Sequence, residues 1–424
     1  MTEQDRVFTK CAWRLVPLML LLYFVSYLDR VNIAFAALTM NKDLGFSPAV
    51  YGLGAGIFFI GYFLFQIPAN LMLERFGPRR WIFFILILWG ALSAGNALIR
   101  DPLTLYALRF LLGCAEAGLY PGIVYYLTLW FPASYRARVT ANFHVGLPLA
   151  FVIGSPLSSY LLELNGLGGL HGWQWMFVLE GLPAIVLAFV VLKVFADSPA
   201  QASWLSEAER ATIARHLATG DAPQHKVLWR ALLDPRVIVL GLIFFADQCA
   251  ASGSRFWLPQ MLQGMGFSNI EVGYAVALPF VIGIGAMSWW GHSGDKRDER
   301  VWHIALPLLI SALGLLVASV SQSPILILAA LVVLMIGPLL FLAALWGFSS
   351  VFLAGRGSAG SIAMVSSLGS LGGFVGPNVI GTLKTATGAY GPGMSVIALM
   401  LIASVAAVLI MGRASTVREK VKLA

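Results

Sequence analysis

Four ionisable residues stand inside stretches of the chain that are otherwise apolar. Asp29 and Arg30 lie in the second half of the first apolar run, and Arg109 and Glu116 lie inside the fourth. Placing one such side chain at the centre of a bilayer costs about 2.5–3.5 kcal/mol on insertion scales. We therefore expect these four groups to face one another or a wet cavity instead of lipid.

Helical spacing predicts how these side chains are directed. Arg109 and Glu116 are seven positions apart and share one face of a helix, as do Tyr27 and Arg30, which are three positions apart. Asp29 points about 100° away from its neighbour Arg30. We expect Arg30 to face a central cavity, and Asp29 to turn toward Arg109 and Glu116.

These residue types suggest anion binding coupled to protons. The planar guanidinium of Arg30 matches a carboxylate, so it is the candidate ligand for an anionic substrate. Asp29 and Glu116 are candidate proton carriers, because burial favours the neutral form of a carboxyl group. Arg109 would hold whichever acid is ionised and release it on protonation. The alternative is a buried ion-pair network that only holds the two helices together.

The composition of the chain excludes most classes of soluble protein. Of its 424 residues, 59% are hydrophobic and 11% are charged, against about 45–50% and 25% in soluble domains. The mean hydropathy is +0.82. The net charge of +8 does not indicate nucleic-acid binding, because the basic residues lie at the ends of apolar runs. The three cysteines are scattered, which indicates neither a disulfide framework nor a metal site.

The element pattern predicts an all-α membrane protein with twelve transmembrane helices. Each predicted run is long enough to cross about 30 Å of hydrocarbon. We predict an N-terminal six-helix bundle over residues 1–195, a cytoplasmic linker over 196–236 and a C-terminal six-helix bundle over 237–424. Ser206 followed by Glu207 and Glu209 predicts that an amphipathic linker helix begins there.

Loop charges predict the orientation. With both termini in the cytoplasm, the cytoplasmic segments hold 21 Lys and Arg residues and the outer segments hold three. Positive residues favour the cytoplasmic side. The positive net charge is then a consequence of topology.

Several stretches of this sequence resemble the major facilitator superfamily, and within it the anion:cation symporter family. The turn Glu74-Arg75-Phe76-Gly77-Pro78-Arg79-Arg80 resembles the signature loop of the superfamily, with Glu74 where Asp is usual. The other matching stretches are Tyr27–Asn32, Gly61–Phe63, Arg109–Gly118, Gly172–Trp175 with Glu180-Gly181, and Phe256–Pro259. The resemblance covers essentially the whole chain. It implies two six-helix bundles and transport of a small organic anion.

Further polar residues are candidates for substrate binding and gating. Besides Arg30, the predicted substrate-binding residues are Tyr27, Tyr62, Gln248, Asn378 and His144. The resemblance places a substrate contact at the position of Tyr62. The alternative for Tyr62, for the amides and for the histidine is packing within the helix assembly. The predicted cytoplasmic gate residues are Glu74, Arg75 and Asp295. Glu180, beside Trp173 and Trp175, is expected to have a structural role near the outer surface.

The function predicted from the sequence is import of a small organic anion by proton symport with alternating access. The substrate would be a hydroxy-dicarboxylate such as tartrate, a sugar acid or an aromatic carboxylate. An organic-anion exchanger or a proton-coupled efflux antiporter of the same fold is the alternative. Protons are favoured over sodium because arginines beside the buried acids would compete with a bound cation.

The remaining expectations are largely exclusions. An enzyme is not expected, since the sequence has no metal-ligand cluster, phosphate loop or nucleophile with its base. A sensor would need a larger cytoplasmic domain than the 41-residue linker. We expect no cofactor beyond a proton gradient, no nucleic-acid partner and a functional monomer in a bacterial-type cytoplasmic membrane.

Overall fold

A computed structural model describes residues 3–218, 234–297, 299–321, 323–352 and 358–423. Within these residues the regular elements are helices, and no strand occurs. The helices of the first half are α1 Glu3–Asp43, α2 Pro48–Phe76, α3 Pro78–Gly95, α4 Pro102–Glu116, α5 Leu119–Trp130, α6 Ala133–His144, α7 Gly146–Leu162 and α8 Gly172–Val194. Then follow α9 Glu207–Ala218, α10 Pro235–Gly264, α11 Asn269–Arg297, α12 Val301–Val320, α13 Pro324–Phe352, α14 Ser358–Thr387 and α15 Gly391–Leu423.

Ten of the helical segments in the described part of the chain are long and apolar enough to cross a membrane. One of them, Pro102–Trp130, contains both α4 and α5. The fifth predicted span, over about residues 138–162, is divided at Val145 into α6 and the 17-residue apolar helix α7. The eleventh, over about residues 358–383, corresponds to α14, which has 30 residues with many glycines, serines and threonines. Each of the twelve predicted spans therefore has a helical counterpart.

The surface carries large apolar side chains that water would not favour. Ile325 is 82% exposed, Val320 76% and Leu103 75%. Apolar surface on this scale is expected where helices face lipid.

The described chain divides into two compact units. The first consists of Met1–Ala36 and Ile60–Ala222, and the second of Ala37–Phe59 and Pro223–Ala424. The last turns of α1 and the first turns of α2 thus belong to the unit that contains α10 to α15. The predicted domain boundaries at residues 195 and 236, and the cytoplasmic location of both termini, stay predictions.

In the first unit, α3 and α8 approach each other until their backbones touch. A Cβ atom on Gly181 would lie 2.7 Å from the Ala94 nitrogen and 2.9 Å from the Gly90 oxygen. A larger residue at position 181 would therefore separate the two helices. This contact brings Glu180, the preceding residue of α8, to the side of α3 that carries Ser93.

In the second unit, α14 packs its glycines against α10. A Cβ atom on Gly372 would lie 2.3 Å from the Phe245 oxygen, and one on Gly376 would lie 2.2 Å from the Cys249 oxygen. The small residues that lower the hydropathy of α14 are therefore the ones that permit close helix packing, which is a common arrangement in membranes.

The linker helix α9 begins where the sequence predicts and docks on the first unit. The Ser206 nitrogen donates to Glu209 Oε2 at 2.8 Å, and the Glu209 nitrogen donates to Ser206 Oγ at 3.3 Å, which is a capping box. Lys10 Nζ on α1 lies 2.8 Å from Glu209 Oε1. Just before α9, Trp204 stacks on Trp130 with ring centroids 5.5 Å apart. One end of the linker is therefore attached to α1 and α5.

Glu209 makes this attachment sensitive to pH. The hydrogen bond from Lys10, followed by the one from the Ser206 backbone, holds the pKa of Glu209 below its ordinary value. Docking of the linker helix on α1 therefore favours the ionised form of the Glu209 carboxyl group. The stabilisation of the docked helix is complete at a pH above the ordinary glutamate pKa. It is lost as the pH falls through the lowered pKa of Glu209.

We expect Glu209→Gln to loosen α9 at neutral pH, because glutamine preserves the capping box but not the charge. Exposed ion pairs contribute about 1 kcal/mol or less, so protection of the α9 amides should fall several-fold. Hydrogen exchange of the α9 peptide between about pH 7 and pH 4, corrected for intrinsic rates, measures this. Glu207→Gln, an exposed acid on the same helix, is the control. Equal protection in both variants would contradict the role assigned to Glu209.

Candidate functional site

A buried ion pair joins α1 to α4. Arg30 Nε lies 2.7 Å from Glu116 Oε1, and Ser26 Oγ also donates to this oxygen. The side chain of Glu116 is completely buried, whereas that of Arg30 is 16% exposed. Glu116 is the last residue of α4, after which the chain turns into α5. The pair therefore consists of an enclosed acid and a base that can still be reached.

Aromatic rings flank the guanidinium of Arg30. Its Cζ lies 5.0 Å from the ring centroid of Tyr27 and 4.8 Å from that of Tyr62. The Tyr27 hydroxyl lies 3.4 Å from that of Tyr23. Contacts of this kind attract a cation and restrict its orientation. The structure thus brings together three of the predicted substrate-binding residues, Tyr27, Arg30 and Tyr62, with the predicted proton carrier Glu116.

Asp29 faces a different group of residues, mainly on α3. Trp89 Nε1 donates to its Oδ2, Ser93 Oγ donates to its Oδ1, and Asn32 Nδ2 donates to Oδ1 at 2.8 Å. Trp89 and Ser93 are four positions apart and share a face of α3. Asp29 itself is 1% exposed. This carboxyl group is therefore enclosed by donors that favour its ionised form.

Arg109 supplies a positive charge near Asp29. Its side chain is fully buried on α4, and it interacts electrostatically with Asp29. This agrees with the expectation that Asp29 turns toward Arg109. Glu116 also interacts electrostatically with Asp29, while its hydrogen bonds are made with Arg30 and Ser26. Neighbouring side chains on α1 point in different directions, so each arginine approaches a different acid.

A third buried acid was not recognised as part of the site from the sequence. Glu180 is 1% exposed and lies in the interior of α8. Ser158 Oγ on α7 donates to its Oε1 at 2.7 Å. The side chain points into the helix packing, and the expected structural role of Glu180 near the outer surface stays a prediction. Its position in the middle of an apolar run was the available signal.

The other predicted substrate-binding residues are in different surroundings. Gln248 and Asn378 belong to the second unit, where Gln248 packs against Gly372 and Asn378 Oδ1 accepts from Thr382 at 3.3 Å. The side chains of His144 and Asp295 lie outside the described part of the structure. The binding roles of these residues stay predictions.

The turn after α2 that resembles the superfamily's signature loop is held by Asp197, which is not one of the predicted gate residues. The Arg79 nitrogen donates to Asp197 Oδ1 at 2.8 Å, and Arg79 Nε donates to the Leu192 oxygen at 2.8 Å. Gly77 adopts φ of 82°, and a Cβ there would lie 2.8 Å from Asp197 Oδ1. Glu74 and Arg75 are exposed at the end of α2. Within the first unit, Asp197 therefore fixes the turn, and gating by Glu74 and Arg75 stays a prediction.

The described residues contain no group of three or more His, Cys, Asp or Glu side chains that could hold a metal ion. What the site offers instead is two arginines, three buried acids and several tyrosines in the first unit. Such a set can bind an anion and exchange protons.

Comparison with known proteins defines the class. The model of the Major Facilitator Superfamily matches residues 19–377. The chain belongs to this superfamily, and it is a multi-pass membrane transporter and not an enzyme. The predicted family and the predicted twelve-helix fold are confirmed.

Individual relatives are similar over nearly the whole chain. A candidate tartrate transporter of Agrobacterium vitis is 44% identical over 97% of this chain and 95% of its own length. The quinolone resistance transporter of Acinetobacter baumannii is 37% identical over 94% of this chain and 93% of its own. The inner membrane transport protein RhmT of Escherichia coli is 37% identical over 88% of this chain and 87% of its own length.

A solved structure shares the fold. The crystal structure of a bacterial homolog of the human lysosomal transporter Spinster, in an inward-facing and occupied conformation, superposes with a TM-score of 0.78. It covers 94% of this chain and 96% of that one at 18% identity. At this identity the likeness supports the fold alone.

We expect Ser93→Ala to destabilise the protein, because it removes a donor to the buried Asp29 with almost no change in volume. Loss of a hydrogen bond to a buried charged group costs about 1.5–3 kcal/mol. Thermal unfolding of the purified protein in detergent measures the effect.

Ser159→Ala is the matched control for this substitution. Ser159 is equally buried, but its hydroxyl has no hydrogen bond to any described residue. Its removal should leave the unfolding midpoint unchanged or slightly raised. If the two alanine variants have the same unfolding midpoint, Ser93 does not stabilise Asp29.

Proposed function

We propose that this transporter imports a small organic anion together with protons by alternating access. The observation that carries the proposal is the Arg30–Glu116 pair, in which the acid is fully buried and the arginine remains 16% exposed. Such a pair offers a cation to an incoming substrate and a proton site behind it. Both are needed for symport of an anion with protons.

Arg30 is the proposed ligand for the substrate carboxylate. Its guanidinium presents several donors in a plane, and a carboxylate can accept two of them at once. The rings of Tyr27 and Tyr62 restrict the guanidinium, so less conformational entropy is lost on binding. Gln248, Asn378 and His144 remain the proposed ligands for hydroxyl or second carboxyl groups of the substrate.

Glu116 couples this binding to a proton. While Glu116 is ionised, its Oε1 occupies Arg30 Nε at 2.7 Å, and an anionic substrate must compete for the same cation. Protonation of Glu116 removes this competition and frees the guanidinium. Substrate binding and proton binding therefore favour each other, and the same linkage applies in reverse.

Asp29 and Arg109 are proposed to form the second coupling pair. Their interaction is strongest while Asp29 is ionised, so protonation would release Arg109 and permit α1 and α4 to move. A proton gradient then drives transport without a cofactor. We place the protein, as a monomer, in a bacterial-type cytoplasmic membrane.

The relatives support an organic acid as the substrate class. Two candidate tartrate transporters of Agrobacterium vitis are each 44% identical to this chain, and tartrate is a hydroxy-dicarboxylate that an arginine can bind. A second candidate function is proton-coupled efflux, because a relative named for quinolone resistance is 37% identical. The buried acids would serve either direction of proton flow.

The test is uptake into proteoliposomes with an imposed gradient, alkaline inside. The panel comprises tartrate, a hexonate, a hydroxybenzoate and phthalate. We expect at least one acid to accumulate in the wild type only while the gradient is present. Arg30→Ala should reduce this uptake about 30-fold or more, since truncating one partner of a buried, hydrogen-bonded charge pair costs about 2–5 kcal/mol of binding free energy. Arg100→Ala, in a loop outside the helices, should transport normally.

Glu116→Gln separates binding from coupling. Glutamine still accepts a hydrogen bond from Arg30 but carries no exchangeable proton. The variant should retain exchange of labelled substrate for unlabelled substrate while losing uphill accumulation. The double variant Arg30→Ala with Glu116→Gln leaves no uncompensated charge. If it folds but, unlike Glu116→Gln alone, has also lost exchange, Arg30 acts in binding. Uptake that ignores pH and survives Arg30→Ala would reject symport and favour the exchanger or efflux function.

A further inference from the structure

Glu180 is an acid in the interior of α8 for which the coupling scheme above has no role. It follows the start of the helix by eight residues, which is about 12 Å along the axis. It is 1% exposed. Its Oε1 accepts from Ser158 Oγ at 2.7 Å, while its Oε2 is buried without a hydrogen bond to any described residue. A fully ionised carboxylate in such surroundings would be poorly compensated.

The groups around Glu180 come from three helices. From α7 comes Ser158, and from α1 come Asn32 and Asp29, both of which interact with Glu180. From α3 comes Ser93, whose hydroxyl is directed to Asp29. Asp29 is the charged group that the described residues bring to Glu180. Its influence is repulsive when both acids are ionised.

Counting the buried charges indicates which acid holds a proton. The described cluster contains three carboxyl groups, Asp29, Glu116 and Glu180, and two guanidinium groups, Arg30 and Arg109. Each buried ion without a compensating charge costs several kcal/mol of desolvation free energy, on the order of the penalty measured in real proteins. Glu116 is paired with Arg30, and Asp29 has Arg109 and three hydrogen-bond donors. Glu180 has Ser158 and Asn32 beside it, but no guanidinium among the described groups that act on it, and is therefore the acid expected to be neutral.

The unsatisfied atoms fit this assignment. Asn32 Nδ2 donates to Asp29 Oδ1, while Asn32 Oδ1 is buried without a hydrogen bond to any described residue. A protonated carboxyl group is a hydrogen-bond donor as well as an acceptor. Protonation of Glu180 would therefore supply the kind of group that is missing next to Asn32 and Asp29.

We propose that Glu180 is a third proton-binding residue of the transport cycle and forms with Asp29 a coupled carboxyl pair that holds one proton in the state that the structure describes. In that state Glu180 has the proton and Asp29 is the anion facing Arg109. When Asp29 binds a proton of its own, the repulsion on Glu180 disappears and the Glu180 proton can leave to water. Asp29 then loses its proton separately, so each acid carries one proton per cycle. The inference rests on the proposed symport for its place in the cycle, but the protonation itself can be measured without transport.

Infrared spectroscopy of the purified protein in lipid tests the protonation. The carbonyl stretch of a protonated carboxylic acid is separate from the bands of carboxylates. At neutral pH we expect Glu180→Gln to remove one such band from the wild-type spectrum. In Asp29→Asn the Glu180 band should disappear at lower pH than in the wild type, because the neighbouring negative charge is gone.

Two infrared results would overturn the proposal. If Glu180→Gln removes no protonated band, Glu180 is ionised. If the band is present but does not change with pH in the wild type or in Asp29→Asn, then Glu180 is a permanently neutral residue that only joins α7 to α8. Neither result depends on which substrate is transported.

Proton stoichiometry tests the role in transport. Reversal potentials in proteoliposomes, with tartrate as the probe, give the number of protons carried per substrate. Glu180→Gln should carry one proton fewer than the wild type while retaining tartrate exchange. Ser155→Ala, which removes a buried hydroxyl of α7 that has no hydrogen bond to any described residue, should keep the wild-type ratio. An unchanged ratio in Glu180→Gln would exclude the transport role.

The two measurements also separate this inference from the proposed function. If wild-type protein moves no tartrate or other acid of the panel with protons, the symport proposal fails. The infrared titration then still decides whether Asp29 and Glu180 share a proton.

Discussion

The need to compensate charge inside an apolar helix assembly is the constraint on which the site depends. Glu116 has no accessible surface, and its charge is balanced by Arg30 Nε at 2.7 Å. In such surroundings, removing Arg30 leaves an ionised carboxylate that neither water nor lipid can stabilise. Protonation of the acid is the one way to break the pair without that cost. An ion pair that can be opened only by a proton is suited to coupling a proton gradient to transport.

The backbone is built so that these charges can meet. Gly181 permits the contact between α3 and α8 that brings Glu180 beside the group around Asp29. On α2, a Cβ atom at Gly61 would lie 2.3 Å from the Phe110 oxygen of α4, so this glycine holds α2, which carries Tyr62, against α4. In the first unit, the positions of the buried ionisable groups therefore depend on the close approach of the helix backbones. The glycine-rich α14 uses the same principle in the second unit.

The linker helix and the turn after α2 in the first unit are held by ordinary polar contacts. Asp197 accepts from the Arg79 backbone at the turn after α2, and Lys10 pairs with Glu209 of the linker helix. These contacts are accessible to water, so their energies are small and sensitive to conditions. The buried pairs and these exposed contacts differ in strength because of their dielectric surroundings and not because of their residue types.

The sequence by itself determined the class of protein, the twelve helical segments and the residues at the centre of the site. Hydropathy is a local property, and charges such as Asp29, Arg30, Arg109 and Glu116 are conspicuous in apolar runs. The start of α9 directly after Ser206 could also be predicted from the sequence, since a capping box spans four residues. Only the tertiary structure decided which acid each arginine approaches, that Trp89 and Ser93 enclose Asp29, and that Glu180 is buried beside it. Those partners come from helices far apart in sequence, and the contact between them depends on how the helices are rotated and packed, which hydropathy and spacing along a single helix do not specify.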